Sequence, residues 1–81
     1  MGTPIVKLDL HGMYQDEAMK AIDRALKAAD DSTYQIQLIH GYNRGTSLKD
    51  MIADEYRHHP KVVRVKPGDN LGVTVLVLRE L

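Results

Sequence analysis

Ile5-Val6-Lys7-Leu8-Asp9-Leu10-His11, closed by Gly12, is the stretch whose reading decides the fold. From Val6 onward apolar and polar residues alternate, the period of a strand with one buried face. Val6, Leu8 and Leu10 point one way, and Lys7, Asp9 and His11 the other. A parallel sheet covered on both faces has continuously apolar strands. The alternation therefore predicts two layers, with helices on one side of a sheet and the other side wet.

The period changes in residues 15–29. Ala18, Ile22, Ala25 and Ala29, with Met19 and Leu26 beside them, form one apolar helical stripe. Asp16 and Glu17 fall in its first turn, where the helix dipole favours negative charge. Asp30-Asp31-Ser32-Thr33 is a polar break, after which residues 34–40, Tyr-Gln-Ile-Gln-Leu-Ile-His, alternate as a second strand. Residues 41–46, Gly-Tyr-Asn-Arg-Gly-Thr, read as a glycine-rich loop.

Ser47 and Asp50 resemble a capping box with Asp in place of Glu, and so start a second helix. Its inner stripe is Leu48, Met51, Ile52 and Tyr56, and Pro60 stops it. Lys61–Lys66 reads as a third strand, with Val63 and Val65 opposing Arg64 and Lys66. Residues 67–70 form a turn, and Gly72–Arg79 reads as a fourth strand. That strand is apolar on both sides, which predicts a central position. The expected fold class is α/β, in the sense of an α+β two-layer sandwich with the order β-α-β-α-β-β.

Composition narrows the function classes. The 81 residues suit one domain, 1–81, whose thin core buries about 60–65% of the unfolded surface. Hydrophobic residues at 43% and charged residues at 27% argue against disorder. Eleven basic residues balance eleven acidic ones, so any polyanion contact must come from a local cluster. With no cysteine there is neither a disulfide nor a thiolate metal site. Residues 1–4 carry no signal-peptide pattern, and no run approaches the roughly 18 apolar residues of a membrane span. A cytoplasmic location is expected.

The chemistry gathers at two strand ends. A strand–helix–strand unit sets its strands parallel, so His11-Gly12 and His40-Gly41 should share the carboxyl edge where ligands of open sheets bind, and their two imidazoles should converge. The 41–46 loop leads into a helix N-terminus, whose free N–H groups favour anions, and Arg44 and Lys49 add positive charge. Asp9 and His11, two apart on the open face, suit an orienting carboxylate and a general base or acid. His40 falls on the helix side by strict alternation. It reads either as a second proton-transfer or phosphate-contacting group, or as a histidine bonded to loop backbone. Tyr42 could stack on a base or pack on its own loop. Lys7, Arg64 and Lys66 share the open face, more as guards against sheet-to-sheet pairing than as a nucleic-acid platform. His58 and His59 point about 100° apart on a helix and chelate poorly. Met13, Met19 and Met51 read as packing.

These residues resemble a family. Leu8-Asp9-Leu10-His11-Gly12 with Glu17-Ala18 is similar to the LDxHG…EA opening of Smr (small MutS-related) domains. His40-Gly41-Tyr42-Asn43-Arg44-Gly45 with Leu48-Lys49 resembles the family's HGxGxG…LR signature, and Gly72-Val73-Thr74-Val75 its last strand. Asn43 stands where the middle glycine would be, and Tyr14 where many members cap the first helix with Ser or Thr. The spacing from Gly45 to Leu48 is one residue longer than the common pattern.

The resemblance implies a four-stranded mixed sheet with both helices on one face, as in the C-terminal domain of bacterial translation initiation factor three. It also implies nucleic-acid binding, often with endonuclease activity on RNA or structured DNA. Asp9, His11 and His40 would be catalytic, and Gly12, Gly41, Tyr42, Asn43, Arg44, Gly45 and Lys49 would bind phosphate. The partner is RNA or structured DNA, with the ribosome a candidate and no membrane involved. No metal or other cofactor is expected, since Asp9 alone is a poor magnesium anchor and two histidines beside cations suit metal-independent transesterification. The alternatives are a catalytically silent nucleic-acid-binding module and a protein-interaction domain of the same fold.

Overall fold

The computed structural model describes residues 4–41 and 47–80. They form β1 (Ile5–Asp9), α1 (Gln15–Ala28), β2 (Gln35–Ile39), α2 (Ser47–Tyr56), β3 (Arg64–Pro67) and β4 (Val73–Val77). The sheet order is β1-β2-β4-β3, with β1 and β2 parallel and β4 antiparallel to both its neighbours. The sheet is therefore mixed, and the doubly apolar last strand is central, as its composition predicts.

Both helices lie on one face. The pairing register places Val6, Ile36, Leu76 and Val65 in one row beneath them, and Leu8, Leu38 and Thr74 in the next. Leu10, Ile36, Leu38 and Leu76 pack with Ala18, Ile22 and Leu26 of α1 and with Met51, Ile52 and Tyr56 of α2. The centre of the α1 stripe is thus Ala18–Ile22–Leu26, with Ala25 at its margin. Fully burying an Ile or Leu here contributes about 1.5–3 kcal/mol. No helix among the described residues is long and apolar enough to cross a membrane.

Hydrogen bonds close the helix ends. Glu17 accepts the Tyr14 N–H at 3.1 Å and so satisfies one donor at the start of α1. At the other end, the Lys61 ammonium donates to the carbonyls of Leu26 at 2.7 Å and Ala29 at 3.4 Å. The Tyr56 hydroxyl ties the helices together, donating to Asp23 Oδ1 at 2.7 Å.

All four strands differ in their bounds from the sequence expectation, β2 by only one residue at each end (Gln35–Ile39 instead of 34–40). β1 stops at Asp9 because the His11 N–H turns back to the Asp9 carboxylate at 3.1 Å. β3 starts at Arg64 because Lys61 reaches over to α1 and the Val62 N–H closes a turn on His59 O at 3.0 Å. As a result Val62, and not Val63, enters the core; Val63 is 56% exposed. β4 spans Val73–Val77 only: the Leu78 N–H still reaches its register partner at Tyr34 O, but the Tyr34 N–H turns to Pro4 O at 2.7 Å instead of closing the pair.

The open face is less wet than expected. Val75 and Val77 point away from the helices yet are 3% and 4% exposed, shielded by cross-strand neighbours on that face.

Candidate functional site

Parallel pairing of β1 with β2 brings their carboxyl ends together, as the strand–helix–strand order requires. Leu10 N donates to Ile39 O at 2.8 Å, carrying the pairing one step past the strands. Gly12 and Gly41 then turn the chain with φ of 78° and 75°, a region that favours glycine. A Cβ on Gly41 would stand 3.7 Å from the His11 Cβ, so the two His-Gly turns are in contact.

The two imidazoles nevertheless do not converge. His11 lies on the open side, with its side chain 73% exposed and Nδ1 2.8 Å from Asp9 Oδ1. A carboxylate can only accept, so Nδ1 carries the proton and Nε2 presents its lone pair to solvent. The two bonds from His11 hold the Asp9 carboxyl below its usual pKa, the ring contributing most.

His40 turns the opposite way and is 8% exposed. Its Nδ1 is 2.7 Å from Gly41 O and its Nε2 is 2.8 Å from Thr74 Oγ1. The carbonyl can only accept, so Nδ1 carries a proton, and a ring protonated there alone accepts the Thr74 hydroxyl hydrogen at Nε2. Both nitrogens are engaged within the protein, which makes His40 a positioning residue for the loop start. The backbone reinforces this. Gly72 O accepts the N–H groups of His40 and Gly41 at 2.9 and 3.0 Å, while Asn70 Oδ1 holds the Gly72 N–H at 2.8 Å.

The N-termini of both helices reach this edge. Gln15 Nε2 donates to Ser47 Oγ at 2.7 Å, joining the first residue of α1 to that of α2. Lys49 is exposed in the first turn of α2. Two helix starts, two glycine turns and a lysine make a corner suited to a phosphate. Tyr42, Asn43, Arg44 and Gly45 lie outside the described residues. Among the described residues, no three His, Asp or Glu side chains gather to hold a metal ion.

A match to the Smr domain family model runs over residues 8–79. The chain belongs to the Smr domain family. This Smr domain is 34% identical over 79 residues to "Endonuclease MutS2" of Staphylococcus saprophyticus subsp. saprophyticus. That match covers 91% of the chain, which spans about a tenth of that relative's length (10%). The fold is similar to the crystal structure of the Smr domain of Thermus thermophilus MutS2. The TM-score is 0.82 at 28% identity, over 93% of this chain and 99% of that one.

The structure also brings forward residues to which the sequence analysis gives no role in the site. Tyr14, read only as a departure at the cap, stands 78% exposed at the start of α1, three residues beyond His11. Gln15 bridges the helices. Thr74 holds His40; its signal was a single hydroxyl within the apolar run Val73–Val77.

Proposed function

We propose that this Smr domain binds a nucleic-acid strand at the Asp9–His11 corner and cleaves its phosphodiester backbone there. The observation that carries the reading is the free Nε2 of His11, with its tautomer set by Asp9, beside two glycine turns and two helix N-termini. The word endonuclease in the name of the Staphylococcus relative supports it.

On RNA, His11 Nε2 takes the proton of the 2′-hydroxyl, and the freed oxygen attacks phosphorus. The bond from phosphorus to the 5′-oxygen breaks, and that oxygen takes a proton from water at this open corner. The products are a 2′,3′-cyclic phosphate and a 5′-hydroxyl end. Lys49 and the helix starts stabilise the charge that builds on the phosphoryl oxygens. Asp9 keeps Nδ1 protonated and stabilises the imidazolium. His40 acts through the loop it holds. Tyr14 offers a ring on which a base flanking the phosphate stacks.

One observation favours a silent binding module instead: with His40 engaged, the corner holds one free imidazole rather than two. Labelled structured RNA and branched DNA, with and without EDTA, separate the readings. Cleavage that survives EDTA and disappears in His11→Ala supports the metal-independent nuclease. Binding without cleavage of either substrate supports the module.

A further inference from the structure

The pairing register arranges the helix-free face of the sheet in three rows. Asp9, Ile39 and Val73 form the row at the corner; Lys7, Gln37, Val75 and Lys66 form the second; Ile5, Gln35, Val77 and Arg64 form the third. Asp9 therefore stands on the same face as the cations Lys7, Lys66 and Arg64. The third row is four residues along β1 from Asp9, about 13 Å away.

An open groove of about 390 Å³ occupies that far end, lined among others by Tyr34, Val77, Arg64, Lys66, Arg79 and Glu80. Its charge is mainly positive. Glu80 pairs with Arg64 at 2.8 Å, and the Arg79 guanidinium donates to the Asp31 carbonyl, so neither contact neutralises Arg79. Lys66 and Lys7 have no ion-pair partner among the described residues. Gln35 adds an amide, and Tyr34 an aromatic wall.

Charged residues on edge strands also discourage sheet pairing. That explains Lys7, Arg64 and Lys66 but not a groove whose cations include Arg79, beyond the end of β4.

We infer that the open face is a second contact zone for the strand held at the Asp9–His11 corner. The flanking nucleotides run down the sheet from His11 and seat phosphates on Lys66, Arg79 and Arg64. The inference rests on the nucleic-acid reading above. Its basis is complementarity: a cationic groove and a proton-transfer dyad on one face, separated by a span that a few nucleotides of extended strand cover. A bound strand also explains how a chain of zero net charge could hold a polyanion, since the cations needed are collected on one side.

The test combines backbone amide NMR with binding titrations, using a single-stranded dinucleotide and hexanucleotide of RNA and of DNA. The hexanucleotide should shift amides of β3, β4 and Tyr34 as well as those of His11 and Gly41, while the dinucleotide shifts only the latter. The Lys66→Gln/Arg79→Gln variant should lose the far-end shifts. Its log–log salt dependence of hexanucleotide binding should flatten by about 0.7 for each cation removed.

Far-end amides that stay still while the His11 edge responds, or an unchanged salt slope in the variant, would overturn this inference and leave the proposed function standing. No response anywhere to either oligonucleotide would overturn both. Shifts at the groove that follow protein concentration or an acidic peptide, and not the oligonucleotide, would assign the face to a protein partner and overturn it as well.

Discussion

One oxygen of Asp9, Oδ1, accepts both the ring Nδ1–H and the backbone N–H of His11, at 2.8 and 3.1 Å. The arrangement needs only two residues of separation and a chain that leaves the strand at Asp9. It sets the imidazole's tautomer, ends β1 and aims Nε2 outward.

Replacing His11 by Ala should lower the cleavage rate by about 10²–10⁴-fold, the range of a single general acid–base group. Asp9→Asn keeps the shape but offers the ring a poorer acceptor, and should lower kcat with little change in KM. Single-turnover kinetics on labelled RNA check both, with circular dichroism confirming that the variants fold.

The same oxygen has a pH signature. Asp9 titrates below the ordinary aspartate value of 3.8, chiefly because the His11 ring bonds its charged form. A carboxyl depressed on folding contributes stability above its unfolded pKa and loses that contribution as pH falls through the folded one. Wild type should therefore be more stable than Asp9→Asn at pH 5–6, and the gap should close on acidification below about pH 4. Urea unfolding across that range, with carbon NMR of the Asp9 carboxyl, measures it.

Thr74→Val removes the hydroxyl that His40 Nε2 uses and leaves a buried ring nitrogen without a partner. The expected loss is about 1–3 kcal/mol of stability. Nitrogen NMR of wild type should show the Nδ1–H tautomer of His40. A predominant Nε2–H form would contradict the positioning role.

Tyr14→Ala should leave the melting temperature almost unchanged, since the ring is exposed and makes no cap of its own. Affinity for single strands should fall by about 1–3 kcal/mol if a base stacks on it. Tyr14→Phe should bind as wild type, which separates stacking from hydrogen bonding.

Tyr56→Phe removes the hydroxyl that joins α2 to Asp23 and the Met19 carbonyl of α1. Because the Asp23 carboxylate is exposed, the cost should be modest, about 1 kcal/mol, read from urea denaturation. Cleavage by the folded fraction should not change.

Much of the geometry of the candidate site was legible in the sequence. Asp9, His11, Gly12 and Gly41 sit at one strand edge because alternation and strand order, both local properties, place them there. The partnership of Asp9 with His11 was legible for the same reason, as the two residues are neighbours in the chain. His40 divided on a question that local pattern poses without answering. Alternation turned it inward, but whether an inward histidine is free or engaged depends on Thr74, which is 34 residues away.

Periodicity is a property of neighbours, and it was sufficient for the element order, the helix-covered face, the central last strand and the two adjoining His-Gly turns. Strand ends, the inward choice of Val62 over Val63, and the engagement of His40 all depend on residues distant in sequence: Lys61 meeting Leu26, Gly72 meeting Gly41, Thr74 meeting His40. The cationic groove is of this second kind. Alternation already puts Arg64 and Lys66 on the open face, but only the pairing of β2, β4 and β3 sets them beside Tyr34 and Gln35, with Arg79 just past the end of β4, around one groove. Alternation tells each strand which side it buries; only pairing decides which residues of other strands stand beside it.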